Sequence, residues 1–207
     1  MTLENRPSLY LVRHAESLQN VNQKLDRDSS LSETGQRQAI GAGISLRLMI
    51  VGRRPEAIIH TGLRRTLDTA KLIKANGEFE ASLVEMPEFR EREMGIYDRM
   101  EFLELIRRNP HMDTLYQRYK SSCVWFFDGA PGEGVEPLDE MKARIIGGLH
   151  TIYDRYSNKP VVAVAHAGSV KMIRMLYEIP SGTNIAEYLS SYVPKNCQIY
   201  RLEDGIP

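Results

Sequence analysis

The chain has 207 residues, and its 27 lysines and arginines balance 27 aspartates and glutamates, so its formal net charge is zero. This length predicts one domain, or one domain with a modest insertion, and suffices for a sizeable core without disulfides or metals. The neutral balance argues against nucleic-acid and membrane-surface partners, because such proteins usually carry an excess of basic residues.

The cysteines and the apolar stretches indicate a cellular compartment. Cys123 and Cys197 are too few and too far apart for a disulfide framework, so we expect free thiols. The first residues, MTLENRP, lack the apolar run of a signal peptide. The longest strongly apolar stretch, Val161–Ala165, is far shorter than the roughly 20 residues of a membrane helix. We therefore expect a cytoplasmic protein with no membrane partner.

Short apolar runs alternate with amphipathic stretches along the chain. The runs predict strands at Leu9–Val12, Ala57–Ile59, Leu83–Met86, Val161–Ala165 and Cys197–Leu202. The 3.6-residue patterns predict helices from the N-cap Ser32 to Met49, from Leu63 to the pair Asn76-Gly77, from Leu138 to Tyr156, and from Gly168 to Tyr177. This alternation is typical of an α/β fold: a three-layer sandwich whose central, mostly parallel sheet carries helices on both faces.

Residues 88–136 interrupt the alternation. A run of mixed charges is followed by a weakly amphipathic stretch, a cluster of aromatic residues and the Gly/Pro-rich loop APGEGVEP. The pattern predicts an inserted lid over about 95–135 within a single domain spanning 1–207.

Polar residues follow the predicted strands at their carboxyl ends. Arg13 and His14 follow the first strand, and His166 follows the fourth. Arg64 and Arg65 lie shortly after the second strand, and Arg90, Glu91 and Arg92 come after the third. Ligands of open α/β sheets bind outside this edge, so we expect these side chains to converge. A single histidine or arginine there is more often structural or solvated, but their joint placement favours a site.

The converging residue types suit phosphoryl transfer. Arginine forks bind phosphate oxygens bidentately. A histidine can act as nucleophile and form a covalent intermediate, and a carboxyl group can protonate a leaving oxygen.

Five segments, in order and nearly throughout residues 9–199, resemble the signature of the histidine phosphatase superfamily, the phosphoglycerate mutase-like proteins. They are Leu11–Asn20 (LVRHAESLQN), Leu31–Ala39 (LSETGQRQA), Thr61–Ala70 (TGLRRTLDTA), Phe89–Tyr97 (FREREMGIY) and Val164–Gly168 (VAHAG). Gly134–Glu136 and Asn196-Cys197 weakly resemble the family's G-E-S loop and late turn.

The resemblance implies a role for each matching residue. His14 is the nucleophile that becomes phosphohistidine, and Glu91 donates the proton to the leaving group. The phosphoryl group would be held by Arg13, Arg65 and His166. Asn20 is expected near the pocket as a substrate-binding residue. Family members need no metal or other cofactor for this chemistry, and the implied partner is a small phosphorylated substrate.

The sequence departs from the family pattern at several positions. Ala15 and Ala167 follow the two histidines where glycine is usual, so a methyl group must be accommodated beside the pocket. Thr61-Gly62 replaces Ser-Pro, which loosens that turn. Pro137 and Gln198 stand in place of serines, which puts auxiliary phosphate contacts in doubt.

One interpretation is favoured over three alternatives. A phosphomonoester hydrolase is favoured over a bisphosphoglycerate-dependent mutase, because the chain is shorter than such mutases and lacks the tryptophan that follows their first motif. A non-catalytic binding member of the fold is the second alternative. A metal site is the third, but the five histidines show no ligand spacing. The phosphoester and the choice between monomer and homodimer stay open.

Overall fold

The computed structural model describes residues 7–22, 28–95, 134–156, 158–178, 188 and 192–202. Its strands are β1 (Leu9–Arg13), β2 (Ala57–His60), β3 (Ser82–Glu85), β4 (Val161–Ala165) and β5 (Ile199–Leu202). Its helices are α1 (Leu18–Asn22), α2 (Glu33–Met49), α3 (Arg64–Gly77), α4 (Leu138–Arg155) and α5 (Ala167–Glu178), with a 3-10 turn at Pro87–Phe89.

The strands form one sheet in the order β3-β2-β4-β1-β5. The first four strands are parallel, and β5 runs antiparallel to β1 at the edge. Arg13, at the end of β1, pairs with Ala165 at the end of β4. This register brings His14 and His166, the next residues along each strand, to the same edge of the sheet.

Helices cover both faces of the sheet, as the sequence predicts. On one face, Leu9 and Leu11 pack in a cluster with apolar residues of α4 and α5. On the other face, Tyr10 and Val12 pack with apolar residues of α2 and α3. Every residue of β4 is buried, which accounts for its continuous apolar sequence.

Element boundaries follow local capping with small shifts. Ser32 caps α2 as predicted, since its side chain accepts a 2.9 Å hydrogen bond from the Gly35 N–H. The left-handed residue that closes α3 is Glu78 (φ 53°), one position beyond the predicted glycine. β3 begins and ends one residue earlier than predicted. The predicted fifth strand loses its first two residues, because Cys197 adopts a turn conformation with φ 55°.

Some predictions fall outside the described residues. Most of the expected lid over about 95–135 lies there, as do Cys123 and His111. In the part of the chain that the structure describes, no helix has both the length and the apolar composition needed to cross a membrane.

Candidate active site

His14 lies immediately after β1 and is only 4% exposed. Its backbone N–H donates a 2.9 Å bond to the Ala165 carbonyl of the neighbouring strand. Its ring Nδ1 lies 2.7 Å from the Ala15 carbonyl oxygen, which can only accept, so Nδ1 carries the hydrogen. In the neutral ring, Nε2 therefore holds the lone pair and is the nucleophilic nitrogen.

His166 follows β4, is 1% exposed, and stands edge-on to His14 with ring centroids 5.3 Å apart. Its Nε2 lies 2.9 Å from the Thr61 hydroxyl. The Thr66 hydroxyl donates to the Leu63 carbonyl at 2.7 Å, so it must accept the proton of the Thr61 hydroxyl, 3.0 Å away. Thr61 is then the acceptor for Nε2–H of His166.

This chain of hydrogen bonds leaves one nitrogen of His166 available. Nδ1 is buried and has no hydrogen-bond partner within the described part of the chain. A buried polar atom without a partner is costly in a folded protein, and such atoms concentrate where a ligand supplies the missing bond. In the neutral ring with Nε2–H, Nδ1 holds a lone pair, so it can donate to a phosphoryl oxygen only when the ring is doubly protonated, a form that the negative charge of a bound dianion favours.

Two positive charges, those of Arg65 and Arg13, act on both histidines. Burial lowers the pKa of His14 well below 6.5, and the charges of Arg65 and Arg13 lower it further. Burial also lowers the pKa of His166, with Arg65, His14 and Arg13 acting in the same direction. Arg65 itself is 6% exposed near the start of α3. The same charges that keep the rings neutral would attract a phosphoryl dianion.

Arg13 is anchored beside His14, since its Nη1 donates to the Pro194 carbonyl at 2.5 Å. The adjacent turn carries Cys197, whose backbone N–H donates to the Arg13 carbonyl at 3.0 Å. Burial raises the pKa of the Cys197 thiol to about 12, so this free cysteine is a neutral packing residue.

Glu91 reaches the loop that carries His166. Its Oε2 accepts a 2.9 Å bond from the backbone N–H of Gly168, and its Oε1 accepts from the N–H of Arg92 at 3.1 Å. The structure thereby brings the predicted acid beside the second predicted histidine, although 75 residues of sequence separate Glu91 from His166.

Asn20 is held by neighbours through its amide oxygen. This oxygen accepts from the Ser17 N–H at 3.0 Å and lies 3.1 Å from the Ser17 hydroxyl and 3.4 Å from Nδ2 of Asn196. Asn196 Nδ2 in turn donates to the His14 carbonyl at 2.9 Å. Asn20 thus organises the loop after β1, and its contact with substrate stays a prediction.

Two departures from the family pattern have physical explanations. Gly62 adopts φ 85°, which proline cannot adopt, and its N–H donates to Nδ1 of His60 at 3.1 Å, a bond that proline would lose. The turn therefore takes a different backbone conformation, rather than a looser version of the same one. The methyl group of Ala15 is fully buried against Leu31 and Ala39, so the core accommodates it.

Two further histidines that the structure describes, His60 and His150, do not join this group. His60 is buried and accepts the bond from Gly62, whereas His150 is exposed on α4. No three histidine, cysteine, aspartate or glutamate residues among those described are grouped as a metal site.

The sequence analysis missed two supporting residues, Thr66 and Arg144. Arg144 donates to the segment around Glu91 and also lowers the pKa of His166. A signal for it exists in the sequence, because a charged residue borders the apolar face formed by Met141, Ile145 and Leu149.

Comparison with known proteins gives the family of the chain. Residues 9–204 match the family model described as the histidine phosphatase superfamily (branch 1). The chain therefore belongs to the histidine phosphatase superfamily.

Its relatives include phosphatases and mutases by name. The chain is 31% identical over 174 residues to the uncharacterized phosphatase PhoE of Bacillus subtilis (strain 168), covering 83% of this chain and 77% of PhoE. It is 26% identical over 202 residues to the probable phosphoglycerate mutase GpmB of Erwinia tasmaniensis, covering 94% and 84%. The crystal structure of phosphoglycerate mutase from Bacillus anthracis superimposes with a TM-score of 0.76 at 18% identity, covering 99% of this chain and 91% of that one. This last likeness concerns the fold.

Proposed function

We propose that the protein is a phosphomonoester hydrolase that works through a phosphohistidine on His14. The observation that carries the proposal is the hydrogen bond from Nδ1 of His14 to the Ala15 carbonyl, which leaves Nε2 as a lone-pair donor in a buried, positively charged setting. The substrate class is a small phosphorylated molecule.

In the first half-reaction, Nε2 of His14 attacks phosphorus and the bond from phosphorus to the ester oxygen breaks. Glu91, in its protonated form, transfers its proton to that oxygen, so an alcohol leaves rather than an alkoxide. Arg13, Arg65 and the His166 ring, doubly protonated once the dianion is bound, would neutralise the charge on the phosphoryl oxygens, which is the main requirement of this chemistry.

In the second half-reaction, the Glu91 carboxylate takes a proton from water. The water oxygen attacks phosphorus, and the bond between phosphorus and Nε2 breaks. Inorganic phosphate leaves, and the electron pair returns to Nε2, which restores the neutral histidine.

A phosphoglycerate mutase activity is the second candidate, because one relative that spans nearly the whole chain carries that name. The first half-reaction would be the same. A mutase would pass the phosphoryl group to a second hydroxyl of a phosphoglycerate instead of to water.

The test has two readouts on the full chain. The first is phosphate release from a panel of sugar phosphates, phosphoglycerates, nucleoside monophosphates and p-nitrophenyl phosphate. The second is the acid-labile, base-stable phosphate that remains on the protein after an alkaline quench. His14→Asn is compared with His150→Asn, which changes an exposed histidine on α4.

We expect the wild type and His150→Asn to release phosphate and to retain acid-labile phosphate on the protein, and His14→Asn to do neither. Absence of both signals with every ester would refute the enzyme assignment. Transfer between phosphoglycerates that depends on added bisphosphoglycerate, with little net phosphate release, would establish the mutase instead.

A further inference from the structure

The guanidinium group of Arg144 on α4 has an acceptor for each of its five N–H groups. Nε and Nη2 donate to the two carboxylate oxygens of Glu136 at 2.5 and 2.8 Å. Nη1 donates to the carbonyls of Glu88 and Arg90 at 2.5 and 2.9 Å, and Nη2 also reaches the Glu91 carbonyl at 3.3 Å. One side chain thus binds three carbonyls within four residues of the segment that carries the acid.

That segment has little other regular support. Residues 90–93 lie between the 3-10 turn and a single bridge from Met94 to Val135, so no helix or extended strand pairing satisfies their carbonyls. Buried backbone acceptors need partners, and Arg144 supplies them. Gly148, one turn further along α4, lets the segment approach the helix. A Cβ built there would lie 2.9 Å from both Cβ of Glu88 and the ring of Phe89.

Glu136 completes the clamp from the other side. Its side chain is 11% exposed and that of Arg144 is 23% exposed, so the ion pair is well shielded from water. The Glu136 N–H donates to the Glu93 carbonyl at 2.9 Å, and its carboxylate accepts from the Glu93 N–H at 3.2 Å. Its own carbonyl accepts from Nε of Arg92 at 2.6 Å. The two residues that follow Glu91, Arg92 and Glu93, are therefore hydrogen-bonded to Glu136.

The carboxylate end of Glu91 is fixed separately, by the bond from the Gly168 N–H. The backbone end is fixed by Arg144 and Glu136. A carboxyl held at both ends keeps a defined distance from the group that it protonates, and proton transfer is sensitive to such displacements.

We propose that Arg144, paired with Glu136, is a positioning residue that aims Glu91 at the leaving oxygen of the substrate. This inference rests on the proposed role of Glu91 as proton donor. It goes further by naming a residue that touches no reacting atom and that sets the position of the proton donor.

The leaving group distinguishes this role from general structural support. A phenol that is acidic, such as p-nitrophenol, departs as its anion without needing a proton. Unsubstituted phenol is more basic and depends on the donor. A misplaced acid therefore slows phenyl phosphate much more than p-nitrophenyl phosphate, whereas a loosened fold slows both equally.

The experiment measures kcat/KM over a series of substituted phenyl phosphates, plotted against the pKa of the phenol. The variants are Arg144→Gln, Arg144→Lys, Glu136→Gln and the reference Glu91→Gln. Arg174→Gln is the matched control, because Arg174 forms a bidentate pair with Glu178 at similar side-chain exposure (21%) but has no bond to the acid segment.

We expect a shallow slope for the wild type and for Arg174→Gln, and a steep slope for Glu91→Gln. Arg144→Gln should lose about 100-fold on phenyl phosphate and less than about 5-fold on p-nitrophenyl phosphate, with Arg144→Lys in between. If Arg144→Gln does not fold, Glu136→Gln, which keeps the side-chain shape, should still steepen the slope.

A parallel downward shift for both Arg144→Gln and Glu136→Gln, with a steep slope for Glu91→Gln, would overturn the positioning role and leave the proposed function intact. An unchanged slope in Glu91→Gln would overturn the proton-donor assignment itself.

Discussion

The site has two halves that are built differently. The nucleophile half, formed by His14, Arg65 and His166, is almost fully buried and lies at the edge of the central sheet where β1 and β4 end. The acid half, residues 88–93, is a partly exposed loop that a side chain of α4 holds in place. Catalytic groups on strand ends inherit their positions from the core, whereas groups on a loop need a dedicated clamp.

Replacement of Arg65 tests the nucleophile half most severely. Arg65→Lys removes the bidentate fork, and we expect kcat/KM to fall about 100- to 1,000-fold. Arg65→Gln should also shift the acidic limb of the pH profile to higher pH. The Arg65 charge lowers the pKa of both site histidines, so these pKa values rise when the charge is removed.

The adjacent Arg64 is the control for this prediction. Its side chain is 62% exposed and contacts Asp68 rather than the histidines. Arg64→Gln should change kcat/KM less than about 2-fold, consistent with the small effects of exposed ion pairs. A larger loss for Arg64→Gln than for Arg65→Gln would show that the two adjacent arginines had been assigned the wrong way round.

Gly148 and Gly147 offer a paired test of the packing in the acid half. Gly148→Ala places a methyl group 2.9 Å from Glu88 and Phe89, so the free energy of unfolding should fall by about 1–3 kcal/mol. Gly147→Ala meets nothing within 4 Å and should stabilise the protein by about 0.5–1 kcal/mol through helix propensity. Chemical denaturation measures both. Equal effects in the two variants would mean that the acid segment does not rest on this face of α4.

Thr61 tests how the nucleophile half holds its second histidine. Thr61→Val leaves Nε2–H of His166 without its acceptor, which costs about 1–3 kcal/mol and should lower kcat/KM by about 10-fold or more. Thr61→Ser keeps the hydroxyl and should restore most of the activity and the wild-type pH profile. Failure of serine to rescue would indicate that the methyl group, not the hydroxyl, is what matters.

The two histidines of the nucleophile half make the stability of the protein depend on pH. Because the pKa values of His14 and His166 fall on folding, the unfolded chain binds more protons below about pH 6.5. The contribution of these two rings to the free energy of unfolding is therefore intact above about pH 6.5. It is lost as the pH falls towards the pKa values of the two rings in the folded protein. The loss is at most about 1.4 kcal/mol per pH unit for each ring. His166→Gln should flatten the slope of the free energy of unfolding against pH below about pH 6.5.

The nucleophile half was accessible from the sequence for a physical reason. Buried strands such as Val161–Ala165 are unbroken apolar runs, so the polar residues that end them are easily recognised. Parallel pairing then brings these ends together without further information. The positions of His14 and His166 follow from the register of two neighbouring strands.

The supports of the site were less accessible. Arg144 lies 53 residues from Glu91, and nothing in a helical pattern states which loop a border residue will bind. The left-handed Glu78 and Cys197 reflect tertiary packing that overrides local preference, since neither residue type favours positive φ. The predicted lid and its aromatic cluster lie largely outside the described residues and stay predictions.

The central claim, that His14 is the nucleophile through Nε2, has one direct test. The protein is phosphorylated by a turnover substrate, quenched in alkali and digested, and the phosphohistidine isomer on the His14 peptide is identified by 31P NMR. The account predicts phosphate on Nε2, because Nδ1 is engaged with the Ala15 carbonyl. Phosphate on Nδ1, or on His166 instead of His14, would contradict it.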